Sequence, residues 1–135
     1  MKNEFIQLIP TDVSIADEVL DYYIRNKQFL EQFEPKRNEQ FFTLKFQQEL
    51  LKSEMHRYKE KTSFRFYIRS INKPQKIIGI IGLNDVIWGA FRSAFLGYKL
   101  DADFLNKGYM SMAVNMLVNY AFKELYLHRI EANVM

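Results

Sequence analysis

Apolar residues recur at two spacings along this chain, and the change between them near residue 62 separates two kinds of element. Residues 5–9 form a short apolar run stopped by Pro10, after which Thr11 and Asp12 offer side-chain oxygens to a helix start. In that helix Ala16, Val19, Leu20, Tyr23 and Ile24 repeat at helical spacing, with Asp17, Glu18 and Asp21 opposite, so one face packs on a core. A longer helix over 43–59 carries Phe46, Leu50, Leu51, Met55 and Tyr58 as its stripe, and Pro35 marks the irregular link before it. Beyond Thr62 the period falls to two, which predicts strands over 63–70, 76–83 and 95–100, the first two joined as an antiparallel hairpin by the turn INKPQ. A helix over 108–125, with Val114, Leu117, Val118 and Ala121 spread over a wide arc, is expected to be largely buried. Residues 128–134 alternate again and read as a final strand.

The element order is therefore β-α-α-β-β-β-α-β, an α/β arrangement with one parallel crossover, from strand 95–100 through the last helix to the final strand. A right-handed crossover leaves the start of that helix at the carboxyl end of the preceding strand, where α/β sheets bind ligands. The stretch LNKGYMSMAVNML, residues 105–117, lies there. A helix start presents unpaired amides and about half a positive charge, which stabilises an anion by ~0.3–1 kcal/mol. Gly108 would let a phosphate approach the backbone, and Lys107 adds charge. The local pattern fits either an anion cradle or a loop capping a packed helix. It is neither a P-loop nor a dinucleotide-binding turn, because Gly79 and Gly82 in GIIG sit inside a strand, where they relieve packing or bulge it.

The length of 135 residues suits one domain, residues 1–135, large enough for its own core. The hydrophobic fraction is 48%, yet no apolar run approaches the ~18 residues of a membrane span. The opening MKNEFIQLIPTD is too short and polar for a signal peptide, so a soluble cytoplasmic protein with no membrane partner is expected. Absence of cysteine removes thiolate nucleophiles, disulfides and sulfur metal sites, and His56 and His128 stand too far apart in sequence to suggest a metal centre. Residues 1–61 hold ten Lys/Arg and eleven Asp/Glu, whereas residues 62–135 hold nine and five, so the basic excess of +4 lies in the second half. That bias fits a solvated surface or an anionic ligand. Nucleic acid is not expected: aromatic and basic residues interleave only in FRFYIR, which reads as a strand.

Three segments, GAFRSAFLGYKLD, NKGYM and HRIEANVM, together with RNKQFLEQFEP upstream, resemble the GNAT superfamily of acetyl-CoA-dependent N-acetyltransferases. The likeness is greater to the RimJ/RimL-type enzymes that acetylate the N-terminal alanine or serine of ribosomal proteins. It implies a GNAT-like mixed, mostly antiparallel sheet with flanking helices. It implies, too, that amides from Lys107 to Met112 hold the pyrophosphate of acetyl-CoA, giving Asn106, Lys107, Gly108, Tyr109, Met110, Ser111 and Met112 as binding residues. Lys99 and Leu100 would lie along the pantetheine arm, and transfer would be direct, with no metal. The family turn [QR]-x-x-G-x-[GA] has Leu105 in its first place, Gly108 at the glycine and Met110 in its last; Asn106 replaces a frequent second glycine and Met112 a frequent Glu.

An α-amine with a reference pKa near 7.7–8.0 is mostly protonated at neutral pH, so a general base helps by about tenfold. Glu131, on one strand face with Arg129 and Asn133, and Asp85 in LNDV are the candidate bases; each equally suits a solvated surface. His128 could also titrate usefully or serve structure alone. Tyr98 completes the candidate catalytic set, and the strand's amides could stabilise an oxyanion. Asn84 and Asn133 are candidate substrate contacts, as is Trp88, which with Phe91 could line an amine-entry groove or cover the core.

In the family HRIEANVM is followed by P-x-N-x-x-S, a further helix and two strands, which this sequence lacks, so a C-terminally truncated domain is expected. Its last strand would have a free edge, inviting pairing with a second copy. Two functions follow: an N-acetyltransferase acting on a peptide or protein N-terminus, or a catalytically inactive module that binds acetyl-CoA or a partner.

Overall fold

The computed structural model describes residues 1–132 and, of 73–75, the backbone alone. Five strands, β1 (Ile6–Pro10), β2 (Phe64–Ser70), β3 (Lys73–Ile87), β4 (Ser93–Leu100) and β5 (Arg129–Ala132), form one sheet in the order β1-β2-β3-β4-β5. The first three junctions are antiparallel and the last, β4 to β5, is parallel. This is the mixed, mostly antiparallel sheet the sequence predicts. β3 extends well past the expected 76–83, because a register shift between Asn84 and Ile87, with Asp85 at φ 50°, lets pairing resume toward Ser93.

Four helices flank the sheet: α1 (Ala16–Arg25), α2 (Lys27–Leu30), α3 (Leu44–Lys59) and α4 (Tyr109–Lys123). Asp12 accepts the Ser14 amide at 2.9 Å and opens a 3-10 turn over Val13–Ile15 that leads into α1. Thr43 caps α3 by accepting the Phe46 amide at 3.3 Å. The single turn α2, too short to show a helical period, is absent from the sequence reading.

Side-chain alternation along β2 feeds two cores. Phe64, Phe66 and Ile68 pack with Ile81, Leu83 and Leu96 against Ala113, Leu117 and Ala121 of α4. On the other face, Tyr67, Ile77 and Ile80 pack against Val19, Tyr22 and Tyr23 of α1 and Leu51 of α3. The expected stripes need correction here. Ile24 is 55% exposed, and Tyr22, which stands one turn after Val19, is wholly buried in its place. In α3, Phe46 and Met55 are exposed whereas Gln47 and Glu54 are buried, because the Phe41 carbonyl in the turn before α3 accepts from Gln47 and Tyr67 of β2 donates to Glu54. The last helix is not largely buried: its inner edge is the i, i+4, i+8 line Ala113, Leu117 and Ala121, with Val114 and Val118 half-buried beside it.

Gly79 is required where β3 meets β4. A Cβ there would stand 2.9 Å from Leu100 Cδ1 and 2.9 Å from the Lys99 carbonyl oxygen.

Candidate active site

β4 ends at Leu100, and Asp101 then caps a 3-10 turn over Ala102–Phe104 by accepting the Asp103 amide at 2.9 Å. Asn106 and Gly108 follow in left-handed conformations, φ 60° and φ 80°, and fold the chain back into α4. Gly108 occupies the N-cap without a side chain to offer, and its carbonyl accepts the Met112 amide at 3.2 Å. The amides of Tyr109, Met110 and Ser111 therefore have no acceptor among the described residues. A Cβ on Gly108 would meet nothing within 4 Å, so the space beside the helix start is open. Lys107 adds positive charge, its Nζ 5.5 Å from the Phe104 ring centroid. A cavity of about 430 Å³ opens at this turn, walled by Phe29, Phe33, Phe104 and Tyr109 and bounded by Tyr98, Lys99 and Leu100.

A smaller hollow of about 190 Å³ lies beside it over the sheet, lined by Glu34, Arg65, Asn84, Tyr98 and Lys99. Its floor is bare backbone, because Gly82 of β3 pairs directly with Gly97 of β4. A side chain at Gly97 would sit 3.3 Å from Asn84 Nδ2 and fill the groove. Tyr98 and Lys99 line both hollows, so the two spaces meet at that dipeptide.

A family model described as the acetyltransferase (GNAT) domain matches residues 8–135. The chain belongs to the GNAT acetyltransferase family. It is 36% identical over 135 residues to the Bacillus subtilis protein named Probable N-acetyltransferase YjcK, covering all of this chain and 74% of that one. It is 32% identical over 123 residues to the [Ribosomal protein uS5]-alanine N-acetyltransferase of Escherichia coli, covering 89% of this chain and 61% of the relative. The crystal structure of the ribosomal-protein-S5-alanine acetyltransferase from Vibrio fischeri superposes with a TM-score of 0.86 at 32% identity, over 98% of this chain and 71% of that one. The RimJ/RimL-type likeness of the sequence is thus a family relationship.

Within this GNAT fold the predicted residues fall into three groups. Lys99, Leu100, Asn106, Gly108, Tyr109, Met110 and Ser111 line the larger cavity, with Tyr98 at its junction with the groove. Lys107 lies in the same turn, whereas Met112 packs half-buried against the α4 core. Asn84 lines the groove and accepts a hydrogen bond from Ser63 Oγ at 3.3 Å. Asp85 is exposed at the β3 irregularity and borders a neighbouring hollow that Asn84 also lines. Glu131 is bound to Arg129 at 2.6 Å and stands opposite Phe95, two residues before Gly97, without lining the groove. Trp88 is elsewhere: its Nε1 donates to the Lys61 carbonyl at 2.8 Å and its ring lies under Arg92, beside Glu124 and Tyr126. Phe91 is 76% exposed, and His128 is exposed with its amide donating to the Arg92 carbonyl at 2.7 Å. Asn133 lies outside the described residues.

Sequence reading missed Glu34, Arg65 and Glu54. Glu54, 3% exposed on α3, accepts through Oε1 from Thr11 Oγ1 and Tyr67 Oη, each at 2.8 Å, and through Oε2 from Arg65 at 3.0 Å. Burial works most strongly against the Arg65 charge, but Glu54, Tyr67 and Tyr23 together outweigh it and the guanidinium pKa rises. Alternation in FRFYIR did place Arg65 and Tyr67 on one sheet face; nothing local says that the acid they meet comes from α3.

Proposed function

We propose that this chain is an acetyl-CoA-dependent N-acetyltransferase acting on the α-amine of a protein N-terminus of the ribosomal-protein kind. The observation that carries the reading is the junction at Tyr98 and Lys99 between the cavity ending at the α4 amides and the glycine-floored groove. The relatives named as N-acetyltransferases, two of them acting on ribosomal-protein alanine, support the reaction and the acceptor class.

The residues present fit acetyl-CoA. The unpaired amides of Tyr109, Met110 and Ser111, with Lys107 alongside, suit the pyrophosphate, and the aromatic walls Phe29, Phe33 and Phe104 suit its apolar stretches. Leu100 and Lys99 line the path from those amides to the junction. When bound, acetyl-CoA supplies a thioester carbonyl as the electrophile.

The acceptor amine enters over Gly82 and Gly97, where missing side chains leave the strand backbone open to it, and Asn84 orients it from the side. Tyr98 lines both hollows, and in this reading its hydroxyl holds a proton during transfer. Asp85 serves as carrier of the amine's proton to solvent through the hollow it shares with Asn84, whereas Glu131, paired with Arg129 outside the groove, is the less direct of the two candidate bases.

The test is calorimetry with acetyl-CoA followed by mass detection of acetylation on an Ala-initiated peptide. Expected are saturable binding and one acetyl group on the peptide's α-amine. Binding without product points instead to a non-catalytic acetyl-CoA-binding module, and no heat with no thermal shift at millimolar acetyl-CoA removes both readings.

A further inference from the structure

The groove contains a guanidinium that the reaction itself does not use. Arg65 projects from β2 toward Glu54, and its side chain remains 29% exposed, whereas Glu54 behind it is 2% exposed. Nη1 donates to Glu54 Oε2 at 3.0 Å and the Tyr67 hydroxyl lies beside the guanidinium; among the described residues no carbonyl and no second carboxylate takes the fork's remaining donors. Removing a carboxylate from water is costly unless donors surround it, and here Thr11, Tyr67 and Arg65 do so. The arrangement fixes one edge of a planar fork and leaves another edge for the groove.

The other charges in the groove are already paired. Glu34 binds Lys99 Nζ at 2.9 Å and Arg37 at 3.5 Å, and Lys99 also stands 4.9 Å from the Tyr23 ring centroid. Arg65 is likewise paired, with Glu54, and Lys99 keeps donors of its own as a point charge; what sets Arg65 apart is a planar fork with an edge to spare. A planar, bidentate carboxylate is the partner such a fork selects.

We propose that Arg65, held in position by Glu54, selects acceptors carrying a carboxylate close to the reacting amine. In a protein N-terminus that carboxylate is an Asp or Glu side chain within the first residues; in a small acceptor it is the α-carboxylate itself. The inference rests on the N-acetyltransferase reading and names the substrate class of the same groove.

The experiment compares kcat/KM for two peptides identical except for Ala-Glu or Ala-Gln at the start, and for free alanine against alaninamide. A preference of about tenfold for the acid in either pair is expected and identifies the carboxylate's source. Equal rates within both pairs overturn the proposal while leaving acetylation intact. No acetylation of any of the four acceptors removes the underlying reading instead. Arg65→Lys, which keeps the charge but loses the fork, should shrink the acid-to-amide ratio to about twofold. Glu54→Gln should lower the same ratio with Arg65 still present, because the fork is no longer anchored. An unchanged ratio in a folded Arg65→Lys protein counts against the proposal, and if that variant fails to fold, the wild-type ratio and Glu54→Gln decide it.

Discussion

Asn26 Oδ1 accepts the backbone amide of Ala102 at 2.9 Å and so ties the end of α1 to the turn that leads into the cradle. The neighbouring Arg25 reinforces the tie: its guanidinium binds Asp101 and donates to the Ile77 carbonyl at 2.8 Å. Phe29 and Phe33 on one side of the larger cavity are thereby fixed against Phe104 and Tyr109 on the other.

Replacing Asn26 with Ala should therefore affect ligand binding as well as stability. Loss of the buried acceptor leaves the Ala102 amide unpaired, at a cost of about 1–3 kcal/mol. Titration of acetyl-CoA well below the melting temperature should show Kd raised several-fold in a protein that is still folded. An unchanged Kd alongside a lowered melting temperature would make the tie purely structural.

Gly108→Ala separates backbone strain from ligand approach. With φ at 80° a Cβ costs about 1–2 kcal/mol, and no neighbour within 4 Å adds to that. In the ligand-free protein the effect on denaturation should stay within that range. Acetyl-CoA affinity should fall by more than tenfold, because the added methyl takes up open space at the helix start that the pyrophosphate is proposed to approach. Equal affinities measured by calorimetry would refute the pyrophosphate assignment.

The helix start at Gly108 and the succession of strands and helices were legible in the sequence because both rest on local signals. The period change near Thr62 marks the strands, and a glycine before an apolar helix marks Gly108. The groove was not legible, since it draws on five elements: Glu34 after α2, Arg65 on β2, Gly82 on β3, Gly97 on β4, and Glu54 of α3 behind Arg65. A search for apolar stripes passes over Glu54, whose burial depends on donors from β1's end and β2. Trp88 shows a different limit. Its aromatic character in a loop suited a substrate contact or a cover for the core, and local sequence does not show that the Lys61 carbonyl and Arg92 hold it.

Gly79→Ala tests the seam between β3 and β4. The new Cβ would lie 2.9 Å from both Leu100 Cδ1 and the Lys99 carbonyl; the leucine can rotate away, but the carbonyl belongs to the ladder. Overpacking of this kind costs about 1–3 kcal/mol, against a small gain from reduced unfolded-chain freedom. The denaturant midpoint should fall. Because Lys99 borders both hollows, the kcat on any acetylated peptide should fall as well, beyond what the unfolded fraction explains.

Alkaline pH should unfold the protein through its buried tyrosines. Burial pushes the hydroxyls of Tyr22 and Tyr67 far above the ordinary value of 10.0, and the charge of Glu54 adds to the effect on Tyr67. Tyr67 Oη donates to Glu54 Oε1 at 2.8 Å, and Tyr22 Oη is buried without a partner among the described residues. Above pH 10.0 the unfolded chain releases these protons while the folded chain keeps them, so the unfolded state binds fewer protons and stability falls as pH rises. The contribution is complete below that pH and is lost progressively above it, by at most about 1.4 kcal/mol per pH unit for each of the two. Urea midpoints measured from about pH 8 to about pH 11 should decline, and tyrosinate absorbance from this pair should appear only with unfolding. Tyr67→Phe lowers stability at neutral pH by removing a donor from Glu54, yet it should flatten the alkaline decline by up to about 1.4 kcal/mol per pH unit. A decline as steep as that of the wild type would mean that Tyr67 ionises in the folded state.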